Sequence, residues 1–174
     1  KDGYLLEKYD DSDLEDVQIE ENIRILSSFL NDAAARYGKK RTTFLMIPDK
    51  AAALPDKLPA YANAGIEKDN SVLAALKSRL SEPEIVLDAG PILRDHQDEY
   101  IYYRTDHHWT TFGAWYAYRA WARHTGHPAR ALEDFSRETI FDDFYGTTYN
   151  KVHIKVPADE VELFHHPAEN GVVI

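Results

Sequence analysis

The stretch Thr42-Thr43-Phe44-Leu45-Met46-Ile47-Pro48-Asp49-Lys50 decides the fold class. Thr42 to Ile47 runs without polar alternation, and Pro48 ends it. A strand that is apolar on both faces must be covered on both faces, as in a parallel sheet flanked by helices. Asp49 and Lys50 then stand at the carboxyl end of that strand, where open α/β sheets place their ligand sites. Lys50 is read as a contact for an anionic substrate group or an oxyanion, with a solvated turn as the plainer alternative.

Working outward, Val17 to Tyr37 predicts a helix, because Ile19, Ile23, Leu26, Leu30 and Ala33 recur at three- and four-residue steps and Gly38 follows as a stop. Gly3 to Lys8 reads as a short strand behind an Asp-Gly turn. Downstream, Leu54 to Gly65 reads as a loop, Asn70 to Leu80 as a helix, and Glu84 to Leu87 as a second buried strand with Asp88 at its end. Pro91 opens a short helix to about His96. Thr110 or Thr111 caps a helix to Thr125 that is apolar around most of its circumference, so it is expected between layers. Gly146-Thr147-Thr148 reads as a tight turn, and Val161 to Phe164 as a last strand. This order of elements is that of an α/β sandwich with a mostly parallel sheet. The buried runs are too few for a complete doubly wound sheet. The expectation is one domain over residues 1–174, incomplete at its C-terminus and cut from a longer protein.

Acids outnumber bases by 30 to 20, and the resulting net charge of -10 repels phosphate backbones, so no nucleic-acid partner is expected. The absence of cysteine removes disulfides and thiolate metal sites. No apolar run approaches the roughly 20 residues of a membrane span. Neither G-x-G-x-x-G nor a G-K-S/T loop occurs, and no cofactor is expected.

Chemistry concentrates in Tyr102-Tyr103-Arg104-Thr105-Asp106-His107-His108-Trp109-Thr110. An Asp two residues before a His can set a carboxylate beside an imidazole, as orienter and general base. The structural alternative is a capping Asp with two histidines bonded to backbone. On an extended segment His107 points away from His108, towards structure or substrate. Trp109 is a candidate sugar-stacking platform or a core residue. Arg104 either binds a carboxylate or pairs with a local Asp. No nucleophile is identified: Ser12, Ser27, Ser28, Ser71, Ser78, Ser81 and Ser136 all lack a G-x-S-x-G or G-D-S setting. A metal-dependent hydrolase using Asp106, His108 and a distant histidine is a further alternative. His153, His165 and His166 lack helix spacing, however, and no metal site is expected.

The Tyr102–Thr110 run, followed by Gly113-Ala114 and Gly146-Thr147, resembles the DHHW family, as do the opening Asp2-Gly3-Tyr4-Leu5 and the strand end Ile47-Pro48-Asp49-Lys50. That family is similar to the SGNH hydrolase-like alginate O-acetylation proteins. The resemblance implies an SGNH-like three-layer sandwich. It makes Asp106 the orienter and His108 the base of a Ser-His-Asp triad; Lys50, Arg104, His107 and Trp109 remain the candidate substrate contacts read from the residues themselves. The serine of those relatives lies C-terminal to the Asp-x-His pair, in an Asp-Ser context after another strand; no Asp-Ser follows His108 in this sequence, so the chain as given is expected to be inactive by itself. The resemblance further implies a bacterial, extracytoplasmic protein at the cell surface, tethered through a segment absent here. Its implied role is to add acetyl to a polysaccharide or remove it, beside a membrane-bound O-acyltransferase. The alternative is a noncatalytic carbohydrate-binding or scaffold module, for which 11 tyrosines and 3 tryptophans supply stacking surfaces.

Overall fold

The computed structural model describes residues 1–7 and 16–167. The centre is a parallel pair, β1 (Phe44–Met46) beside β2 (Val86–Asp88), with Phe44 opposite Val86 and Met46 opposite Asp88. Successive side chains leave a strand on opposite faces, and the two faces meet different cores. Phe44 and Val86 face helices α1 (Asp16–Tyr37) and α3 (Ile66–Ser78), in a cluster with Ile23, Leu30, Leu76, Leu80 and Ile85. Leu45 and Ile47 face the other way, towards Ala53, Leu54, Ala89, Leu93, Ile101, Tyr102, Trp115 and Tyr116. Those residues come from α2 (Lys50–Ala53), α4 (Gly90–Asp95), α5 (Thr111–Thr125) and the segment leading into α5. The result is helix, sheet, helix: the three-layer α/β sandwich.

Two helices end at the glycines that their sequences offer as stops. Gly38 closes α1 at φ 84° and Gly126 closes α5 at φ 75°, left-handed positions that favour glycine. Asn31 clips α1 to the end of α3, its amide donating to the Arg79 carbonyl and its oxygen accepting from the Ser81 N–H, each at 2.9 Å. Thr110 caps α5 by accepting from the Gly113 N–H at 3.2 Å. Gly113 also lets that helix lie directly on the preceding segment, since a Cβ there would fall 2.2 Å from the Ile101 carbonyl oxygen. Trp115, Tyr116, Ala117 and Ala122 of α5 are buried, as its apolar circumference requires.

Several expectations change. Residues 1–7 make the Asp2-Gly3 turn but no strand; Leu5 donates a single bond to the Arg104 carbonyl at 2.9 Å, and Lys8 lies outside the described residues. The first residues of the expected 54–65 loop form a short 3-10 turn, preceded by the unforeseen α2. α3 starts at Ile66, ahead of the apolar pattern. Gly146-Thr147-Thr148 is not an isolated turn but the start of a helix, α6 (Thr147–Val152). The C-terminal region is antiparallel: β3 (Ser136–Phe144) pairs with β4 (Asp159–His165), with irregular register on either side of Phe141. Phe164 of this hairpin joins the core beside α5. No helix among the described residues is long and apolar enough to cross a membrane.

Candidate active site

Tyr102 and Trp109 form an antiparallel bridge, and the chain between them turns back on itself at the foot of α5. Tyr103 N–H donates to the His108 carbonyl at 3.1 Å and closes the turn. Because the segment turns, alternation fails: His107 and His108 lie on the same side, their rings 3.9 Å apart at 37°.

Asp106 sits inside the turn, 3% exposed. One carboxylate oxygen accepts from the His108 N–H at 2.9 Å and from His108 Nδ1 at 2.5 Å. The other accepts from the Thr147 N–H at 2.7 Å and the Thr147 hydroxyl at 3.0 Å. Burial pushes the Asp106 pKa up, but the four donors from Thr147 and His108 outweigh it, and the carboxyl stays ionised well below the usual carboxylate range. An acceptor-only anion on His108 Nδ1 forces the hydrogen onto that nitrogen and leaves the lone pair on Nε2. With its side chain 64% exposed, His108 offers that lone pair outward.

Three clamps hold the turn. Gly146 packs against Asp106 so closely that a Cβ there would lie 2.3 Å from the Asp106 side chain, and only glycine lets Thr147 bring its donors in. Asp159, fully buried, accepts from the N–H groups of Arg104 and Thr105, each at 2.7 Å, from the Thr105 hydroxyl at 2.5 Å and from the Tyr100 hydroxyl. Lys50 enters from the end of β1, its ammonium donating to the carbonyls of Tyr103 at 3.2 Å, Arg104 at 3.3 Å and Asp106 at 2.7 Å. Burial pushes its pKa down to about 8, against the charges of Asp159 and Asp106.

The site residues read from the sequence therefore separate. Asp106 and His108 come together as expected. Lys50 is 4% exposed and its three donors are satisfied by the turn, so it faces the protein and not a ligand. Arg104 stacks over the Tyr100 ring at 4.5 Å and approaches Asp159 at 3.9 Å, the local pairing. Asp49 caps α2 through the Ala52 N–H, and Asp88 accepts from the Gly90 N–H. Trp109, half-buried, lines a groove of about 310 Å³ with Tyr103, Trp115, Tyr118, Phe135 and Phe164. Asp159 gives no signal in the sequence, because an acid in an Ala-Asp-Glu run carries no mark of burial. Thr147 was visible only as part of the Gly-Thr pair.

Among the described residues, four serine hydroxyls donate to backbone carbonyls: Ser27 to Arg24, Ser71 to Lys68, Ser78 to Ala75 and Ser136 to His165. None of these four meets His108. Asp106, His107 and His108 bring ligand-type atoms within 4.8 Å of one another. Asp106 is already satisfied by N–H and O–H donors, and both Nδ1 atoms are hydrogen-bonded, which fits an acid–base pair better than a cation site. His165 bonds Glu138 and His153 packs on Tyr149, so neither joins that group.

The model of the SGNH hydrolase-like domain, acetyltransferase AlgX, matches residues 1–143. The chain belongs to this family. A comparison with curated proteins gives no match. Among solved structures it is similar to a DHHW family protein from Eubacterium siraeum, with 27% identity and a TM-score of 0.60 over 83% of this chain and 47% of that one. Bacillus cereus PatB1 gives a TM-score of 0.62 at 17% identity, over 85% of this chain and 53% of that one. The O-acetyltransferase domain of Pseudomonas putida AlgJ gives 0.58 at 16% identity, over 86% and 57%. The last two likenesses concern the fold alone. This chain spans about half the length of the structures it matches.

Proposed function

We propose that this SGNH-like acetyltransferase domain supplies the base and its orienting acid for moving an acetyl group to or from a polysaccharide hydroxyl outside the cytoplasm. The observation that carries the reading is the Asp106–His108 bond at 2.5 Å, with His108 Nε2 left open. His108 takes the proton of the attacking hydroxyl, and Asp106 fixes the tautomer and stabilises the imidazolium that forms. The family membership supports acetyl as the transferred group. The groove supports a sugar: two of its walls, Tyr103 and Trp109, flank the turn, and flat rings suit a pyranose face. The bacterial cell-surface setting and a membrane-bound O-acyltransferase that hands on the acetyl group belong to the same proposal.

The test is hydrolysis of a synthetic acetyl ester by the full-length protein. His108→Ala is expected to lower kcat/KM by roughly 10²- to 10⁴-fold with the fold intact. Retention of wild-type rates in that variant ends the proposal.

A further inference from the structure

The hydrogens around Asp106 can be assigned, and they give His107 a role of its own. Asp106 is ionised, so the Thr147 hydroxyl 3.0 Å away donates to it. The Thr147 oxygen is then an acceptor, and His107 Nδ1, 2.7 Å from it, carries the hydrogen. His108 Nδ1 donates to Asp106 in the same way. Both imidazoles are thus in one tautomer, with the lone pair on Nε2. Both Nδ1 atoms lie near the same Asp106 oxygen, at 2.5 Å and 3.6 Å. Nε2 is at the far side of each ring, so two lone pairs leave the site side by side. His107 is 51% exposed, and neither Nε2 has a hydrogen bond among the described residues.

A general base needs one lone pair. A second, at ring-stacking distance and tied to the same carboxylate through the Thr147 hydroxyl, matches a pair of hydroxyls on adjacent carbons. We propose that His107 selects the acyl acceptor: its Nε2 accepts a hydrogen bond from the hydroxyl next to the one His108 deprotonates, so that the site acetylates one member of a vicinal diol on a sugar ring. This rests on the acyl-transfer reading above. With an acetyl ester as donor, the acceptor oxygen bonds to the acetyl carbon as the bond from that carbon to the donor oxygen breaks. The acceptor proton passes to His108 Nε2 and on to the departing oxygen, and nothing is oxidised or reduced. His107 exchanges no proton.

The experiment measures two rates with the full-length protein and p-nitrophenyl acetate: hydrolysis, and acetyl transfer to methyl glucopyranoside. The second acceptor is the deoxy analogue lacking the middle of the three ring hydroxyls, which has no two on adjacent carbons. The wild type is expected to prefer the glucoside by about 10- to 100-fold, the worth of one hydrogen bond made in the transition state. His107→Ala is expected to lose that preference, its transfer rate falling by about that factor more than its hydrolysis rate. His107→Asn, which restores an acceptor, is expected to recover part of it. A wild type with no preference, a His107→Ala protein that keeps it, or one that loses both rates equally overturns the proposal. His108→Ala separates the two claims. If it still hydrolyses the ester, the acyl-transfer reading fails; if it is inactive while His107→Ala keeps the preference, only the diol proposal fails.

Discussion

At the scale of single residues, the site is a problem in keeping one buried carboxylate charged. Asp106 loses hydration on burial and regains four donors, two on each oxygen. Its folded pKa is depressed below the ordinary 3.8, so ionisation stabilises the fold above that value, and the contribution is lost as pH falls through the folded value. Urea unfolding of the wild type and Asp106→Asn should show this. The gap in stability is expected to be constant above about pH 5 and to narrow steadily below about pH 4. A gap that stays flat down to about pH 2 contradicts the account. In activity, Asp106→Asn keeps the shape but can donate where it should accept, turning His108 into the wrong tautomer. A loss of about 10⁴-fold in kcat is expected, read against an unchanged circular dichroism spectrum. Asp-x-His was legible as a pair because both members sit within three positions. The identity of the donors was not, since Thr147 lies 41 residues downstream and spacing alone gives no reason to aim it at Asp106.

At the scale of elements, the turn is shaped by partners from three distant segments. Gly146 brings the start of α6 to Asp106, Asp159 at the start of β4 fixes Arg104 and Thr105, and Lys50 of α2 ties three carbonyls together. Gly146→Ala puts a methyl where the Asp106 side chain already is, and a loss of about 1–3 kcal/mol in unfolding free energy is expected, together with most of the activity. Lys50→Met fills the same space but takes the ammonium donor from the Tyr103 and Asp106 carbonyls, while Arg104 keeps its bond from Leu5. It is expected to cost about 1–3 kcal/mol or more in urea unfolding, whereas a Lys50 that served a ligand would leave stability untouched and raise KM. The sequence placed Lys50 correctly at a strand end and misjudged its direction. A cation after a buried strand looks the same whether it faces a ligand or its own backbone, and only the path of the Tyr103–Asp106 carbonyls decides between them. Trp109→Ala, which removes a wall of the groove, is expected to raise KM for a glycan acceptor more than it lowers kcat, and equal effects on both would argue against a sugar there.

At the scale of the molecule, the sheet separates two cores, one under α1 and α3 and one under α2, α4 and α5. The layer order was legible because Thr42–Ile47 is apolar on both faces. The antiparallel hairpin was not, because β3 is almost wholly exposed and carries little apolar alternation. Only the second core carries the site. Leu76→Ala in the first core is expected to lower stability by about 2–5 kcal/mol while leaving the His108 ring signals in place. That contrast makes the ring itself the most direct witness to the central claim, that Asp106 holds His108 as a base with Nε2 free. Long-range proton–nitrogen correlation spectra of the ring-labelled protein near neutral pH report which nitrogen carries the hydrogen. His108 is expected to be protonated at Nδ1 and bare at Nε2, with that preference lost in Asp106→Asn. A His108 protonated at Nε2, or one whose tautomer ignores the Asp106 substitution, would contradict that claim.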